Sequence, residues 1–216
     1  MRNILVLAPK GQVGFELLRS LAPLGTIHTL SRSDVDFINV EAVIQKVSAL
    51  QPQIIVNAAA WTAVDRAEAE VEAAFTLNAY LPERLAAYAQ AHQAWLVHYS
   101  TDYVYPGEGT QAWQEGDATK PLSIYGQSKL EGDTAIQNSG AQHLIFRTSW
   151  VYAARGHNFM RTMLRLAQER EQLKVVADQI GSPTPARLIA NVSALALHQT
   201  LTQPDSELAG VYHLVA

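Results

Sequence analysis

A tyrosine and a lysine four residues apart, Tyr125 and Lys129, are the pair best suited to acid–base chemistry. Residues at this spacing share one face of a helix. A nearby ammonium stabilises a phenolate, so it lowers the pKa of a phenol from its usual value of about 10. We therefore expect Tyr125 to transfer a proton near neutral pH. Ser100 and Thr101 lie upstream and offer hydroxyl groups that would hold a substrate oxygen against it.

This pair alone is a weak pattern, because exposed helix faces explain most such pairs. The N-terminal segment strengthens it, since residues 4–8 predict a buried parallel strand and residues 15–21 have helical periodicity. A strand, a glycine-containing turn and a helix begin a dinucleotide-binding fold, with Gly11 approaching a pyrophosphate and Gly14 allowing close packing. The fingerprint is incomplete because Ala8 stands where a first glycine is expected, and an ordinary turn remains the alternative.

The end of the second predicted strand, residues 26–30, indicates the cofactor. An acidic residue there would accept a hydrogen bond from the ribose of NAD, whereas Ser31 and Arg32 suit a 2′-phosphate. NADPH is therefore expected, and NADH remains an alternative. Arg32 could also be a surface arginine that does not contact the cofactor. Asp36 and Phe37 follow and are predicted to hold the edge and the face of the adenine.

Small residues end the third predicted strand, residues 54–60. Ala58, Ala59 and Ala60 leave room for a flat ligand, and residues 61–65 would form the floor of the cleft. Ligands of open α/β sheets bind outside the carboxyl ends of the strands, which is where these alanines are expected.

Further strands are predicted at residues 95–99, 143–147, 173–177 and 210–215, with helical segments between most of them. This alternation predicts an α/β fold with a doubly wound parallel sheet of the Rossmann type. His98 lies inside an apolar run and is interpreted as a core histidine.

The composition excludes several other classes. The 216 residues are 48% hydrophobic and 17% charged, which suits a globular domain with a sizeable core. The net charge of −4, without a basic run, argues against a nucleic-acid surface. The chain has no cysteine, and no apolar run reaches the ~20 residues that span a bilayer. A cytoplasmic protein without a membrane partner is expected.

Several stretches together resemble one family. They are residues 11–14 (GQVG), 56–60 (VNAAA), 62–65 (TAVD), 98–104 (HYSTDYV), 125–130 (YGQSKL), 146–152 (FRTSWVY) and 212–215 (YHLV). The chain is similar along its whole length to the dTDP-4-dehydrorhamnose reductases, which are extended short-chain dehydrogenase/reductases. The resemblance implies that NADPH or NADH reduces the C4 ketone of dTDP-4-dehydro-β-L-rhamnose.

The resemblance also implies roles for particular residues. Tyr125 would donate the proton to the forming C4 alkoxide, and Lys129 would bind the nicotinamide ribose and keep the pKa of the tyrosine low. Thr101 would bond to the substrate oxygen, and Asp102 and Trp150 would contact the sugar nucleotide. The implied cofactor residues are Gly11, Gln12 and Val13 at the pyrophosphate, Asp36 and Phe37 at the adenosine, and Ala60, Trp61 and Thr62 at the nicotinamide.

Domain organisation and assembly are less clearly indicated. Residues 1–152 are predicted to form the cofactor-binding core, and residues 153–216 a partial substrate lobe with returning sheet elements. Members of the family continue past residues 212–214, so the substrate lobe is expected to be shortened at its C-terminal side. Some members form metal-linked dimers, and Glu16 is suitably placed, but an exposed carboxylate is the simpler interpretation. No metal is predicted, and a homodimer remains open.

Two other functions remain open. One is a nucleotide-binding regulatory subunit of the same fold without turnover. The other is a reductase or epimerase that acts on another sugar nucleotide.

Overall fold

The computed structural model describes residues 2–203 and 208–216. Its main sheet is parallel throughout, in the order β2-β1-β3-β4-β5-β8. Two short strands, β6 and β7, pair separately. The strands are β1 Arg2–Leu7, β2 Gly25–Leu30, β3 Ile54–Asn57, β4 Trp95–Thr101, β5 His143–Thr148, β6 Val151–Tyr152, β7 Thr184–Pro185 and β8 Gly210–His213.

Helices cover both faces of the main sheet. They are α1 Gln12–Ser20, α2 Val40–Leu50, α3 Val64–Ala67, α4 Val71–Phe75, α5 Leu81–Ala91, α6 Ile124–Asn138, α7 Phe159–Glu169 and α8 Ala186–Thr202. Core residues of α2, α5 and α6 pack on one face of the sheet, and those of α1 and α8 pack on the other. The doubly wound fold predicted from the sequence is therefore confirmed.

Successive residues of each central strand face opposite cores. In β1, Leu5 and Leu7 belong to the cluster beneath α2 and α5, whereas Ile4 and Val6 belong to the cluster beneath α1 and α8. A strand buried on both faces needs apolar residues at every position, which is why the sequence shows continuous apolar runs rather than alternation.

The order of the strands determines where a ligand can bind. The chain moves outward from β1 to β2 and then crosses back to β3 on the other side of β1. At this reversal the connections leave β1 and β3 in opposite directions and open a crevice at their carboxyl ends. The segments that begin at Ala8 and Ala58 therefore border one crevice.

Two predicted strands need correction. Residues 173–177 form no strand, because they lie away from the sheet with Val175 and Val176 51% and 66% exposed. The third strand ends at Asn57 rather than at residue 60, because the side chain of Asn57 accepts a hydrogen bond from the Ala59 N–H. That bond takes the place of a further ladder contact.

Within the described residues, none of the helices combines the length and the apolar character needed to cross a membrane.

Candidate active site

A cavity of about 540 Å³ lies at the carboxyl ends of the central strands. It brings together most of the predicted cofactor and catalytic residues: Gly11, Gln12, Val13, Ser31, Arg32, Phe37, Ala58, Ala59, Ala60, Thr62, Tyr125 and Lys129. Ala8 of the turn and Ser100, both considered in the sequence analysis, also line it. Residues not predicted from the sequence complete the wall: Lys10, Ser33, Leu77, Tyr99, Thr148, Val151, Gly156 and His157. A separate, more open depression of about 420 Å³ is bordered by residues 106–120 and contains none of the predicted site residues.

The turn after β1 has the backbone shape of a dinucleotide-binding turn. Ala8 has a φ of +56°, a left-handed conformation that glycine adopts more readily than alanine. Its carbonyl accepts a hydrogen bond of 3.0 Å from the Gly11 N–H. A Cβ on Gly14 would lie 2.1 Å from the Ala8 carbonyl oxygen, so only glycine allows α1 to pack this closely on the turn. Gly14 is buried and supports the cavity without lining it.

Two cationic side chains lie at the end of the cavity beside β2. Arg32 and Lys10 are both exposed, and the Lys10 Nζ donates to Ser33 Oγ at 3.4 Å. Ser31 is held by Asp34, whose carboxylate accepts from both the backbone N–H and the hydroxyl of Ser31. These bonds from Ser31 lower the pKa of Asp34. Guanidinium, ammonium and hydroxyl groups at one place suit a phosphate, and Lys10 is the part that the sequence reasoning missed.

The two residues predicted for the adenine are separated. Phe37 is buried and lines the cavity. Asp36 is exposed, and its carboxylate accepts from the Ile38 N–H at 3.1 Å. Because Asp36 caps its own turn and is absent from the cavity wall, the structure does not bring it to the site.

Helix α6, which carries Tyr125 and Lys129, is docked through small residues. A Cβ on Gly126 would lie 2.3 Å from the Tyr103 carbonyl oxygen, and one on Gly132 would lie 2.0 Å from that of Asn78. Asn78 lies in a π-helical turn, Thr76–Tyr80, where α4 leads into α5. Close backbone approach on two sides therefore fixes the height and rotation of α6.

Asn78 also connects α6 to the loop after β3. Its side chain is fully buried, accepts from the Trp61 N–H at 2.9 Å and donates to the Trp61 carbonyl at 3.1 Å. Its amide also donates to Ser128 Oγ at 3.0 Å. The sequence reasoning missed Asn78, since a polar residue in an alanine-rich segment carries no local signal of this role.

The pKa of Tyr125 differs from the value expected from the sequence. The ring is partly exposed and meets Tyr103 edge to face at 5.5 Å. Burial raises the pKa of Tyr125 to about 12, and a hydrogen bond with the Thr101 side chain offsets part of this rise. The expected lowering of this pKa by Lys129 is therefore wrong for this structure. The partners of the Lys129 Nζ are instead groups of β4, the Tyr99 carbonyl and His98 Nε2.

Lys129 is almost completely buried, with 1% of its surface exposed. Its Nζ donates to the Tyr99 carbonyl at 2.6 Å and lies 2.9 Å from His98 Nε2. Burial lowers the pKa of Lys129 to about 8, and the charge of Asp133 opposes that shift. His98 is fully buried, as predicted for a core histidine, but it also contacts the catalytic candidate.

The residues implied for the substrate lie beside the cavity and are not part of its wall. Thr101 Oγ1 accepts from the Tyr103 N–H at 3.2 Å and donates to Asp102 Oδ1 at 3.1 Å. Asp102 Oδ2 accepts from Ser149 Oγ at 2.7 Å. The next residue, Trp150, is 41% exposed and has a φ of +43°. This strained backbone is the kind found at ligand sites.

Glu16, considered above as a metal ligand at a dimer interface, has a different partner. Its carboxylate accepts from Arg187 Nε at 3.2 Å and joins α1 to α8.

Several known proteins are similar to this chain in sequence and in structure. Residues 1–216 match the family model described as the RmlD substrate binding domain. The dTDP-4-dehydrorhamnose reductases of Escherichia coli K12 and Salmonella typhimurium LT2 are each 53% identical over 99% of this chain and 72% of their own length. The structure of a dTDP-4-dehydrorhamnose reductase from Bacillus anthracis in complex with NADP is 35% identical, with a TM-score of 0.89 over 99% of this chain and 74% of that one. The chain therefore belongs to the dTDP-4-dehydrorhamnose reductase family.

Proposed function

We propose that the chain reduces the C4 ketone of dTDP-4-dehydro-β-L-rhamnose to dTDP-L-rhamnose, with NADPH as the hydride donor and NADH as an alternative. The observation that carries this proposal is the single cavity that Tyr125 and Lys129 share with the glycine turn. A proton donor and a dinucleotide cradle in one cavity are what a ketone reductase requires.

The residues present suit a nicotinamide cofactor. Gly11 leaves the turn open, since a Cβ there would meet the Ala8 carbonyl oxygen at 3.3 Å. α1 begins at Gln12 in the cavity wall without a side-chain cap, and the N–H groups of a first helical turn favour a pyrophosphate. Lys10 and Arg32 supply positive charge for a 2′-phosphate, and the alanines after β3 leave room for a flat ring. When bound, the cofactor supplies a hydride.

The chain itself supplies and places the proton. The raised pKa of Tyr125 means that its phenol keeps its proton at neutral pH, ready for a more basic alkoxide. A hydrogen bond with the Thr101 side chain lowers the pKa of the same phenol, and in this proposal both hydroxyl groups bond to one substrate oxygen. In this proposal Lys129 binds the nicotinamide ribose and stabilises the phenolate that forms. Asp102 and Trp150 bind the sugar nucleotide.

Two coarser predictions accompany this proposal. The division into residues 1–152 and 153–216 remains a prediction. It is supported by β8, which returns to the main sheet after residue 153, and by α8, which packs on that sheet. A homodimer is likewise a prediction, to be tested by sedimentation.

The direct test is turnover. The protein is mixed with NADPH and dTDP-4-dehydrorhamnose, and the absorbance of the reduced nicotinamide is followed. We expect the absorbance to fall and dTDP-L-rhamnose to accumulate. Cofactor binding without any loss of absorbance would favour the regulatory alternative, and turnover only with another 4-ketosugar nucleotide would reassign the substrate.

A further inference from the structure

A buried chain of hydrogen bonds supports Lys129 from beneath. It runs from the Ala59 N–H to Asn57 Oδ1 at 3.1 Å, from Asn57 Nδ2 to His98 Nδ1 at 3.2 Å, and from His98 Nε2 to Lys129 Nζ at 2.9 Å. Asn57, His98 and Lys129 each expose 1% of their surface or less. The protons that link these three side chains must therefore be shared between protein atoms.

The orientation of the Asn57 amide determines the tautomer of His98. The oxygen of the amide takes the Ala59 N–H, so its NH₂ group faces His98 Nδ1. The opposite orientation would set this NH₂ group against the Ala59 N–H, and two donors would face each other. His98 Nδ1 must therefore act as an acceptor.

The tautomer of His98 in turn favours one state of Lys129. Burial and the nearby lysine lower the pKa of His98 well below its ordinary value, so the ring is neutral. A neutral imidazole has one N–H and one acceptor nitrogen. With Nδ1 accepting, the proton lies on Nε2 and points at Lys129 Nζ. An ammonium has no lone pair to receive it, whereas an uncharged amine does.

We propose that Asn57 and His98 together favour the uncharged form of Lys129 in the cofactor-free cleft. The uncharged amine accepts from His98 Nε2 and donates to the Tyr99 carbonyl. Protonation of Lys129 from solvent requires the His98 proton to move from Nε2 to Nδ1, against the Asn57 amide. Asn57 and His98 are thus positioning residues, since each acts on the reaction through Lys129.

Other charged and titratable groups surround this hydrogen-bond chain. On α6, Asp133 Oδ2 accepts from Ser100 Oγ at 2.7 Å and from Arg147 Nε of β5 at 3.4 Å. The charge of Asp133 favours the ammonium of Lys129 and so opposes the Asn57–His98 pair. Tyr125 lies one turn before Lys129. Asp102 and Tyr103 follow β4, and Lys10 and His157 belong to the wall of the same cavity.

The catalytic purpose of this arrangement rests on the proposed function. A charged Lys129 stabilises the phenolate only once the cofactor is seated, and the negative phosphates of a bound cofactor favour the ammonium. Occupation of the cleft then raises the charged fraction of Lys129. In the empty cleft, the hydrogen bonds of Asn57 and His98 lower the fraction of Lys129 that is a buried ammonium without a counter-ion at its Nζ.

The test is an NMR titration of the cofactor-free protein labelled with ¹³C at lysine Cε. The Lys129 resonance is assigned by its loss in Lys129→Met. We expect a titration midpoint two or more pH units below the ordinary lysine value of about 10.4. His98→Gln offers a carbonyl oxygen to the ammonium. Asn57→Thr offers a hydroxyl that donates to His98 Nδ1 in one tautomer and accepts from it in the other. Each variant should raise the midpoint by about one unit or more.

Ser193→Ala is the matched control, because Ser193 is buried and bonded to the Tyr99 hydroxyl but lies on α8, outside this hydrogen-bond chain. It should leave the midpoint unchanged. Thermal melting shows which variants are folded, and the Lys129 midpoint of either folded variant tests the inference. An ordinary midpoint in the wild type, or a low midpoint that His98→Gln and Asn57→Thr leave unchanged, would overturn the inference. Failure of NADPH to bind, measured separately by fluorescence, would contradict the proposed function and leave this titration valid.

Discussion

Tyr125 and Lys129 share a helix face but differ in what surrounds their polar ends. The phenol lies beside Thr101 at the cavity, whereas the Lys129 Nζ is bonded to groups of β4. Burial therefore raises the pKa of Tyr125, which keeps its proton. It lowers the pKa of Lys129, which loses its proton more readily. Both effects change the free energy of unfolding as well as the chemistry.

The first prediction concerns stability and pH at Lys129. Its pKa is lowered from 10.5 to about 8 by folding, so the unfolded chain binds more protons between these values. The free energy of unfolding should therefore rise by roughly 1–2 kcal/mol between about pH 8 and 9.5. Lys129→Met should lack this rise, as measured by urea denaturation at both pH values. Lys46→Met, an exposed change on α2, should retain it, and equal rises in all three proteins would refute the assignment.

The second prediction concerns the choice of cofactor at Arg32. Removing one guanidinium–phosphate contact costs about 1.5 kcal/mol at an exposed site, so Arg32→Ala should weaken NADPH binding about tenfold. NADH lacks the 2′-phosphate, and its affinity should change less than threefold. Fluorescence titration measures both, with Arg165→Ala on α7 as the control. Equal weakening of both cofactors would remove the assignment of Arg32 to the 2′-phosphate.

At the scale of elements, the site depends on backbone contacts that only glycine permits. Gly14 seats α1 on the turn after β1, and Gly126 and Gly132 seat α6 between the Tyr103 and Asn78 carbonyls. The sequence predicted the first of these because a glycine before a helix is part of a known turn. Gly126 and Gly132 carried no such signal, since their partners lie 23 and 54 residues away in the chain.

The third prediction tests the docking of α6. Gly132→Ala places a Cβ 2.0 Å from the Asn78 carbonyl oxygen, so α6 must shift. We expect a loss of about 2 kcal/mol or more in the free energy of unfolding, despite the better helix propensity of alanine, together with lower turnover. Gly116→Ala, where nothing lies within 4 Å, should change stability by less than about 0.5 kcal/mol. A Gly132→Ala protein as stable and active as wild type would contradict this account.

The fourth prediction concerns the incomplete glycine fingerprint. Ala8 adopts the left-handed conformation with a φ of +56°, at a cost of about 1–2 kcal/mol that glycine avoids. Ala8→Gly should therefore raise the free energy of unfolding by up to about 1 kcal/mol after the entropy of glycine is counted. Ala49→Gly, an exposed change on α2, should lower the free energy of unfolding by about 1 kcal/mol. Thermal denaturation compares them, and a loss of stability at both sites would show that Ala8 is unstrained.

At the scale of the whole molecule, the parallel sheet gathers distant segments at one edge. Because parallel strands connected by helices all end on the same side, the sequence predicted that segments after β1, β3, β4 and β5 would meet. It also predicted most of the cavity wall. It did not predict the contribution of Gly156 and His157, whose loop reaches the first turn of α1 through an Asn158–Gln12 hydrogen bond of 2.7 Å.

What the sequence left undecided was the direction of side chains within the site. Spacing of four residues predicts a shared helix face, but it does not say that the Lys129 nitrogen turns toward His98 while the Tyr125 oxygen faces Thr101. Spacing likewise does not say that the Asp36 carboxylate bonds to the Ile38 N–H of its own turn, as short acidic side chains in turns commonly do.

The measurement that tests the central claim most directly compares Tyr125→Phe with wild type in two assays, reduction of dTDP-4-dehydrorhamnose and binding of NADPH. If the Tyr125 phenol supplies the proton, loss of one hydroxyl should lower kcat by about 10²–10⁴-fold and change the Kd for NADPH less than threefold. Tyr103→Phe, which changes the neighbouring ring in the same way, should retain most of the activity. Near wild-type turnover by Tyr125→Phe would contradict the account.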